Sequence, residues 1–205
     1  DPLWSRGLGD VYKRQIQDPP MQLIPLLASS PTVQAQVRAL RNQQEVRKYM
    51  YTSHEISEQE HANWLSSLQG NPRQEVFVAV DAGQALGVVS LNAINALQKT
   101  ADWAFYLDAE LQGKGLGSLM EFWLLDYAFN QAALDKLNCE VLASNTAVIR
   151  LHLKFGFVQE GLRRQNILKD GERIDVVLLG ITRQEWQDKR PALEGLIARL
   201  GQRES

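Results

Sequence analysis

Short runs of alternating apolar and polar residues recur along this chain, and such alternation is typical of strands with one buried face. The pattern predicts strands over residues 21–27, 75–80, 86–93, 101–107, 136–142, 157–168 and 172–181. Two turn sequences predict hairpins between neighbouring strands, namely Asp81-Ala82-Gly83-Gln84 and Lys169-Asp170-Gly171.

Two helices are predicted before the second strand, each with its own start signal. Ser30 precedes Pro31, which suits an N-cap followed by the first helical position. Ser57 and Glu60 have the spacing of a capping box, in which each side chain binds the other's backbone N–H. We expect the second of these helices to end at Gln69.

Three further helices are predicted in the second half of the chain. Residues 119–129 are apolar almost throughout, which indicates a helix buried against a sheet. Residues 145–155 form the next helix, and Gly156 suits the left-handed residue that ends it. The last stretch, 182–200, is amphipathic, and we expect a break near Pro191 because proline lacks the backbone N–H.

These elements follow one another in the order β-α-α-β-β-β-α-β-α-β-β, without a linker or a repeat. The order predicts a single α+β domain in which helices flank a mixed central sheet. We place this domain at residues 21–186 and a C-terminal helical tail at residues 187–205. Residues 1–20 lack periodicity and are expected to be a non-native or disordered extension.

The composition narrows the classes of function. The 205 residues include 22 basic and 24 acidic ones, and this near-neutral charge argues against a nucleic-acid or membrane partner. The single cysteine, Cys139, excludes an intrachain disulfide and suits a reducing, cytoplasmic location. The histidines His54, His61 and His152 lack metal-ligand spacing, so we expect no metal site.

A glycine-rich stretch between a strand and a helix, Leu111–Ser118, carries the strongest chemical signal. It reads Leu-Gln-Gly-Lys-Gly-Leu-Gly-Ser. Free N–H groups at the positive end of a helix dipole bind anions, and glycines allow a ligand close to the backbone. The spacing matches neither the P-loop nor the Rossmann fingerprint. An ordinary strand–helix connection is the alternative.

In the form Gln112-x-x-Gly115-x-Gly117, this stretch resembles the pyrophosphate loop of the GNAT superfamily of N-acetyltransferases. The residues that follow continue the resemblance in order: Asn145, then Leu151-His152-Leu153-Lys154-Phe155-Gly156-Phe157, then Glu160-Gly161 and Arg163. The resemblance covers residues 76–181. It implies a single GNAT-type domain that uses acetyl-CoA as co-substrate and needs no metal.

The first half of the chain resembles one subgroup, the acetyltransferases of pseudaminic acid biosynthesis, a pathway that serves flagellin glycosylation. The matching residues are Arg41-Asn42, Val46-Arg47, Met50-Tyr51, Ile56-Ser57, Glu60-His61 and Trp64, with Phe105-Tyr106-Leu107 and Cys139-Glu140-Val141 in the second half. Leu40 stands where the subgroup usually has tryptophan. The resemblance implies acetylation of the 4-amino group of a nucleotide sugar, UDP-4-amino-4,6-dideoxy-N-acetyl-β-L-altrosamine.

The resemblance also implies which residues hold acetyl-CoA. The strands at residues 103–107 and 136–142 are expected to splay apart, so that their backbone groups bind the pantetheine arm and the thioester. The implied residues are Tyr106, Leu107, Gln112, Gly113, Lys114, Gly115, Leu116, Gly117, Ser118 and Asn145. Asn145 is also a candidate N-cap of the following helix, and the two roles are compatible.

Two residues are candidates for proton transfer. His152 stands where the superfamily usually carries tyrosine, so the resemblance implies that it protonates the departing thiolate; its spacing also suits a buried core histidine. Alternation places Glu140 on the strand face opposite Cys139, where it is a candidate base for the acceptor ammonium or a solvent-facing carboxylate. Asp102 and Asp175 are weaker alternatives for the base.

The acceptor is expected to meet the helices before the second strand. Arginine offers paired contacts to phosphate, or a plane for stacking. The candidates for the UDP diphosphate and uracil are Arg41, Arg47 and His61, and those for the sugar and base pocket are Met50, Tyr51 and Trp64. Helical apolar spacing also allows Met50 and Trp64 to be ordinary core residues.

Other interpretations share part of this pattern. The nearest is an N-terminal or ribosomal-protein acetyltransferase with a peptide acceptor. A non-catalytic CoA-binding module and an interaction domain built on the amphipathic last helix are the other two. The sequence predicts a small-molecule partner and a monomer or homodimer.

Overall fold

The computed structural model describes residues 21–202, so the extension expected at residues 1–20 lies outside the described residues, as do residues 203–205. The described strands are β1 (Gln22–Pro25), β2 (Glu75–Asp81), β3 (Gln84–Asn95), β4 (Thr100–Leu107), β5 (Lys136–Leu142), β6 (Val158–Lys169) and β7 (Glu172–Thr182). The described α-helices are α1 (Pro31–Asn42), α2 (Gln44–Arg47), α3 (Glu58–Leu68), α4 (Leu116–Asp126), α5 (Thr146–Lys154) and α6 (Arg183–Gln202).

These strands form one mixed sheet in the order β1-β2-β3-β4-β5-β7-β6. Every neighbouring pair is antiparallel except β4 and β5, which are parallel. The predicted α+β fold with a mixed sheet is confirmed. Both hairpin turns are confirmed as well, since Ala82-Gly83 and Asp170-Gly171 each have two positive φ angles, which match the twist of the flanking strands.

Helices cover both sides of the sheet. The helices α1 and α3 pack on one side, where Val37 and Val78 belong to the core, and we call this side the α1 face. The helices α4, α5 and α6 pack on the other side, where Leu125, Leu137 and Phe155 belong to the core, and we call it the α4 face. Because side chains alternate along a strand, neighbouring residues of β4 or β5 point to different faces.

The predicted starts of α1 and α3 are confirmed by their hydrogen bonds. The Ser30 hydroxyl accepts the backbone N–H of Val33 at 3.2 Å. Ser57 and Glu60 form both bonds of a capping box, at 3.2 and 2.7 Å. The strand expected at residues 21–27 is shorter, because β1 ends at Pro25 and a 3₁₀ turn follows.

The predicted break at Pro191 is wrong. Helix α6 is continuous from Arg183 to Gln202 with Pro191 inside it. Leu193 and Ile197 follow the proline and are buried in the core. Their packing keeps the helix intact despite the missing backbone hydrogen bond. The boundary expected between residues 186 and 187 therefore falls inside one packed helix.

Candidate functional site

The strands β4 and β5 separate in the middle of the sheet. Their parallel register ends at the pair Asp102 and Asn138, although β4 continues to Leu107 and β5 to Leu142. Beyond that pair, the facing strand edges present backbone N–H and C=O groups that a ligand can bind. The structure thus shows the splay expected from the resemblance, and we call this opening the split.

The glycine-rich stretch follows directly after the open part of β4. Gly115 adopts the left-handed region at φ +95° and caps α4, which begins at Leu116 rather than at residue 119 as predicted. Leu116, Gly117 and Ser118 therefore form the first turn of the helix, where backbone N–H groups lack intrahelical acceptors. This turn lies where the sequence predicts an anion site.

The two ends of the glycine-rich stretch have different surroundings. Gln112, Gly113 and Lys114 are exposed, so an incoming anion can reach them. Gly115 instead packs against α6, since a Cβ added to it would lie 2.5 Å from Cδ2 of Leu200. Glycine suits this position for two reasons: it adopts a positive φ without strain, and it leaves room for the Leu200 side chain.

Asn145 occupies the N-cap position of α5, as predicted, but its side chain makes no capping hydrogen bond. The residue is half-buried. Its carboxamide therefore remains available to a ligand beside the end of β5.

His152 lies on the α4 face and is 2% exposed. Its imidazole packs among Trp103, Phe105 and Phe157, with ring centroids 4.9, 5.8 and 5.3 Å away. The environment is that of a buried histidine, as the alternative interpretation expected. Since Trp103 and Phe105 belong to the open part of β4, His152 also lies beside the split.

The partner of His152 is Glu121 of α4, which is fully buried. The Nδ1 of His152 lies 2.9 Å from Oε1 of Glu121, whereas Oε2 is buried without a hydrogen-bond partner. Burial raises the pKa of Glu121, and the neighbouring His152 opposes that rise. The thiol of Cys139 is close to this pair. Burial raises the pKa of this thiol, which therefore stays neutral.

Glu140 lies on the α1 face and is exposed, whereas Cys139 and Val141 beside it are buried. The predicted alternation is therefore confirmed. The Tyr51 hydroxyl and the Arg163 guanidinium both donate hydrogen bonds to the Glu140 carboxylate. Two residues that the sequence assigned to different roles, Tyr51 and Glu140, thus meet on the α1 face of the sheet.

The two alternative bases have different surroundings. Asp102 stands opposite Asn138 where the split begins. Partial burial raises the pKa of Asp102, and the charge of Glu140 adds to the rise. Asp175 accepts the backbone N–H of Gln165 at 2.7 Å, which is a structural role at an irregularity of β6.

Arg41 lies in the last turn of α1, next to Tyr106 of β4. Its Nη1 is buried and has no hydrogen-bond partner. Burial lowers the pKa of Arg41; the nearby Tyr106 opposes this shift, and the charge of Arg47 adds to it. A buried guanidinium N–H without an acceptor is unfavourable, so this position favours binding of a negatively charged group. Tyr106 faces the α1 side of the sheet, and Leu107 packs on the α4 side.

Arg47 is bonded within the protein. Its Nε donates to the Asn42 carbonyl at 2.9 Å and its Nη1 to the Ser53 carbonyl at 2.8 Å. Its Nη2 also lies 3.3 Å from the Glu55 carboxylate. The structure therefore uses the Arg47 side chain to hold residues 48–57, the segment between α2 and α3, rather than leaving it open to a phosphate.

Lys169 holds the same segment from the other side. The residue is 6% exposed, and its Nζ donates hydrogen bonds of 2.7 Å to the carbonyls of Arg47, Lys48 and Met50. Burial lowers the pKa of Lys169. Through this contact the β6–β7 hairpin positions the segment that carries Met50 and Tyr51.

His61 and Trp64 lie between α1 and α3. His61 Nε2 is 2.9 Å from the Gln34 carbonyl, and its ring centroid is 5.6 Å from that of Trp64. Gln34 precedes Arg41 by about two helical turns. The structure therefore does not bring His61 together with Arg41, and Trp64 packs on the α1-face core as the alternative interpretation expected.

Sequence reasoning missed two residues of this site, Glu121 and Lys169. Glu121 had a signal, because it is a carboxylate in a nearly apolar helix. Lys169 had none, since a lysine before a hairpin turn is ordinarily exposed.

Residues 21–202 contain neither a metal-binding cluster nor a membrane-spanning helix. No group of three or more histidine, cysteine, aspartate or glutamate side chains there is arranged to hold a metal ion. None of the helices in this range combines the length and the apolar character needed to cross a membrane.

Known proteins resemble this chain in sequence. It is 31% identical over 113 residues to the SPbeta prophage-derived uncharacterized N-acetyltransferase YokL of Bacillus subtilis, covering 54% of this chain and 63% of that protein. It is 30% identical over 114 residues to the spermidine N(1)-acetyltransferase of Vibrio cholerae serotype O1, covering 55% of this chain and 66% of that protein. The chain thus spans less than two thirds of the length of these two relatives.

The fold is also similar to a solved structure, the spermidine N-acetyltransferase from Vibrio cholerae in complex with CoA and spermine. The TM-score is 0.75 at 23% identity, over 83% of this chain and 99% of that one. Residues 27–158 match the family described as Acetyltransferase (GNAT) domain, a range that includes the split, the glycine-rich stretch and His152. The chain therefore belongs to the GNAT acetyltransferase domain family.

Proposed function

We propose that this chain is an acetyl-CoA-dependent N-acetyltransferase that acetylates the 4-amino group of a UDP-linked amino sugar, UDP-4-amino-4,6-dideoxy-N-acetyl-β-L-altrosamine. One observation carries the proposal: the split has a candidate proton donor, His152, on one face and a candidate proton acceptor, Glu140, on the other. Acetyl transfer from a thioester to an amine suits this separation, because the amine loses protons on one side of the split and the thiolate gains a proton on the other.

The residues around the split suit acetyl-CoA, which supplies an activated acetyl thioester. The first turn of α4 and the exposed Lys114 offer N–H groups and a positive charge to the pyrophosphate. The edge of β4 at Tyr106 and Leu107 and the uncommitted carboxamide of Asn145 offer hydrogen bonds to the pantetheine arm. The similar Vibrio cholerae structure is a complex with CoA, which supports this assignment.

Glu140 acts on the acceptor. A primary ammonium must lose a proton before its nitrogen can attack, and the Glu140 carboxylate takes that proton directly or through water. Tyr51 and Arg163 hold the carboxylate in place. Asp102, on the same face of the neighbouring strand β4, is the alternative base.

His152 acts on the leaving group by giving a proton to the departing thiolate. The acceptor ammonium loses two protons in total and the thiolate takes up one, so each turnover releases one proton to solvent. Most of the acceleration comes from placement of the amine against the thioester in the split.

Arg41 supports an anionic acceptor. Its buried, unpartnered Nη1 lies next to Tyr106, on the face where Glu140 lies. We assign Arg41 to the UDP diphosphate, and Met50 and Tyr51 to the pocket wall. Arg47 shapes the pocket through segment 48–57. His61 and Trp64 are engaged between α1 and α3, so the proposal does not use them.

A polyamine is the second candidate acceptor. Glu140 and Asp102 are carboxylates on the acceptor side that suit an ammonium group, and one relative is a spermidine N(1)-acetyltransferase. The positive charges of Arg41, Arg47 and Lys169 nearby disfavour a polycation.

A thiol-release assay with acetyl-CoA tests the function. The panel contains the UDP-4-amino sugar, spermidine and N-terminal peptides. We expect the highest kcat/KM with the nucleotide sugar. A higher kcat/KM with spermidine or a peptide would overturn the acceptor assignment. Binding of acetyl-CoA in calorimetry without thiol release from any acceptor would identify a non-catalytic CoA-binding module.

A further inference from the structure

A fully buried carboxylate sits in the apolar core of the α4 face. Glu121 is 0% exposed, and its neighbours Met120 and Phe122 on α4 belong to the hydrophobic core. One carboxylate oxygen is 2.9 Å from His152 Nδ1, and the other has no hydrogen-bond partner. Burial of a carboxylate is unfavourable, and apolar residues often replace buried ion pairs without loss of stability. Core stability alone therefore does not account for Glu121.

The surroundings of His152 fix the orientation of its ring. Trp103, Phe105 and Phe157 contact the imidazole with interplanar angles of 57°, 64° and 42°. When one ring nitrogen of a histidine is hydrogen-bonded to a partner, the other nitrogen is left for a different role. With Nδ1 at Glu121, Nε2 is the nitrogen left for a reacting group beside the open part of β4.

We propose that Glu121 is a positioning residue for acetyl transfer. Its carboxylate accepts the Nδ1–H of the His152 imidazolium and so holds the ring with Nε2–H directed to the departing thiolate. This inference rests on the proposed function. The bond that breaks is Nε2–H, the bond that forms is S–H, and the neutral imidazole regains a proton from solvent or from the released ammonium protons.

The groups packed against His152 come from several elements. Helix α4 contributes Glu121, β4 contributes the uncharged Trp103 and Phe105, and Phe157 precedes β6. The thiol of Cys139 on β5 is the titratable group near Glu121, and burial keeps it neutral. Glu121 is therefore the charge in direct contact with the imidazole.

The test uses Glu121→Gln, which keeps the shape and removes the charge. We expect kcat to fall about 10- to 100-fold, less than the 10²–10⁴-fold that loss of a general acid gives. The basic limb of the kcat profile should move to lower pH by about one unit, because a neighbouring anion favours the protonated imidazole. Both KM values should change little.

Asp126→Asn is the matched control. Asp126 is also a buried carboxylate on α4, but it bonds Trp186 and Arg190 at 2.7 to 2.9 Å. Its loss should lower the melting temperature and leave the pH profile of kcat unchanged. If Glu121 had only a structural role, Glu121→Gln would likewise lower the melting temperature and leave the pH profile of kcat unchanged.

Two further measurements complete the test. An NMR titration of His152 in the free enzyme needs no acetyl-CoA, and Glu121→Gln should make the ring deprotonate at lower pH. In a His152→Phe background, Glu121→Gln should cause no additional loss of kcat.

An unchanged His152 titration in Glu121→Gln, or a pH-independent loss of kcat, would overturn the inference. A His152→Phe enzyme with wild-type kcat would overturn it as well. None of these three results would change the ranking of acceptors in the panel, so failure of this inference is distinguishable from failure of the proposed function.

Discussion

The hydroxyl of Tyr51 donates a hydrogen bond to the carboxylate of Glu140, although 89 positions separate the two residues in the chain. Burial raises the pKa of the Tyr51 phenol, and the Glu140 carboxylate raises it further. Tyr51 therefore remains a hydrogen-bond donor throughout the neutral pH range. This contact joins segment 48–57 to β5, which borders the split.

Replacement of Glu140 tests the acceptor base. Glu140→Gln keeps the shape but cannot take up a proton, and its single oxygen replaces the two that accept from Tyr51 and Arg163. We expect kcat to fall about 10²- to 10⁴-fold in steady-state assays, as for loss of a general base. Glu172→Gln is the control, because Glu172 is an exposed carboxylate at the start of β7. Wild-type kcat in Glu140→Gln would shift the assignment to Asp102.

Replacement of Arg41 tests the anionic part of the acceptor. Arg41→Ala removes a guanidinium with a buried, unpartnered nitrogen. We expect KM for the nucleotide sugar to rise about 10- to 150-fold, the equivalent of one charge-assisted hydrogen bond of ~1.5–3 kcal/mol. Affinity for acetyl-CoA, measured by calorimetry, should not change.

His61→Ala is the contrasting variant for Arg41→Ala. His61 bonds the Gln34 carbonyl between α1 and α3, so its loss should lower the melting temperature with little change in KM. If Arg41→Ala weakens acetyl-CoA binding instead, the cofactor and acceptor sites have been exchanged.

Replacement of Gly115 tests the pyrophosphate loop. Gly115→Ala places a Cβ at a residue with φ +95° and close to Leu200. The left-handed conformation alone costs about 1–2 kcal/mol, and the clash displaces the first turn of α4. We expect the Kd for acetyl-CoA, measured by calorimetry, to rise about 10-fold or more.

Gly83→Ala separates backbone strain from ligand binding. Gly83 has φ +79° in a hairpin turn, with no atom within 4 Å of the added Cβ. This variant should lose stability and keep its affinity for acetyl-CoA. Unchanged affinity in a folded Gly115→Ala protein would rule out this loop as the pyrophosphate site.

Replacement of Lys169 tests how segment 48–57 is held. Lys169→Met keeps the side-chain length and removes three hydrogen bonds to backbone carbonyls. We expect the free energy of unfolding to fall by about 1.5–3 kcal/mol in urea titrations. The KM for the acceptor should rise, because Met50 and Tyr51 lose their support.

Lys99→Met provides the comparison for Lys169→Met. The Lys99 side chain is 59% exposed and lies 4.0 Å from Asp135, and such surface pairs contribute about 0–1 kcal/mol. If Lys169→Met costs no more stability than Lys99→Met, Lys169 does not hold the segment.

The sequence by itself determined features that depend on residues a few positions apart. The Ser57–Glu60 capping box and the turn at Asp170-Gly171 form as predicted, because backbone conformation and short side-chain hydrogen bonds decide them locally. The exposed position of Glu140 beside buried Cys139 followed from strand alternation. The GNAT fold and the glycine-rich stretch were recognised because their residues keep order and spacing along the chain.

Only the tertiary structure decided which distant residues meet. The pairing of Glu121 with His152, the hold of Lys169 on segment 48–57 and the contact of Tyr51 with Glu140 depend on how helices and strands pack. Packing also overrode local signals, since α6 continues through Pro191 once Leu193 is buried. The physical reason is that a local pattern specifies which face of an element is buried, whereas the partner at that face is chosen by the whole sheet and its helices.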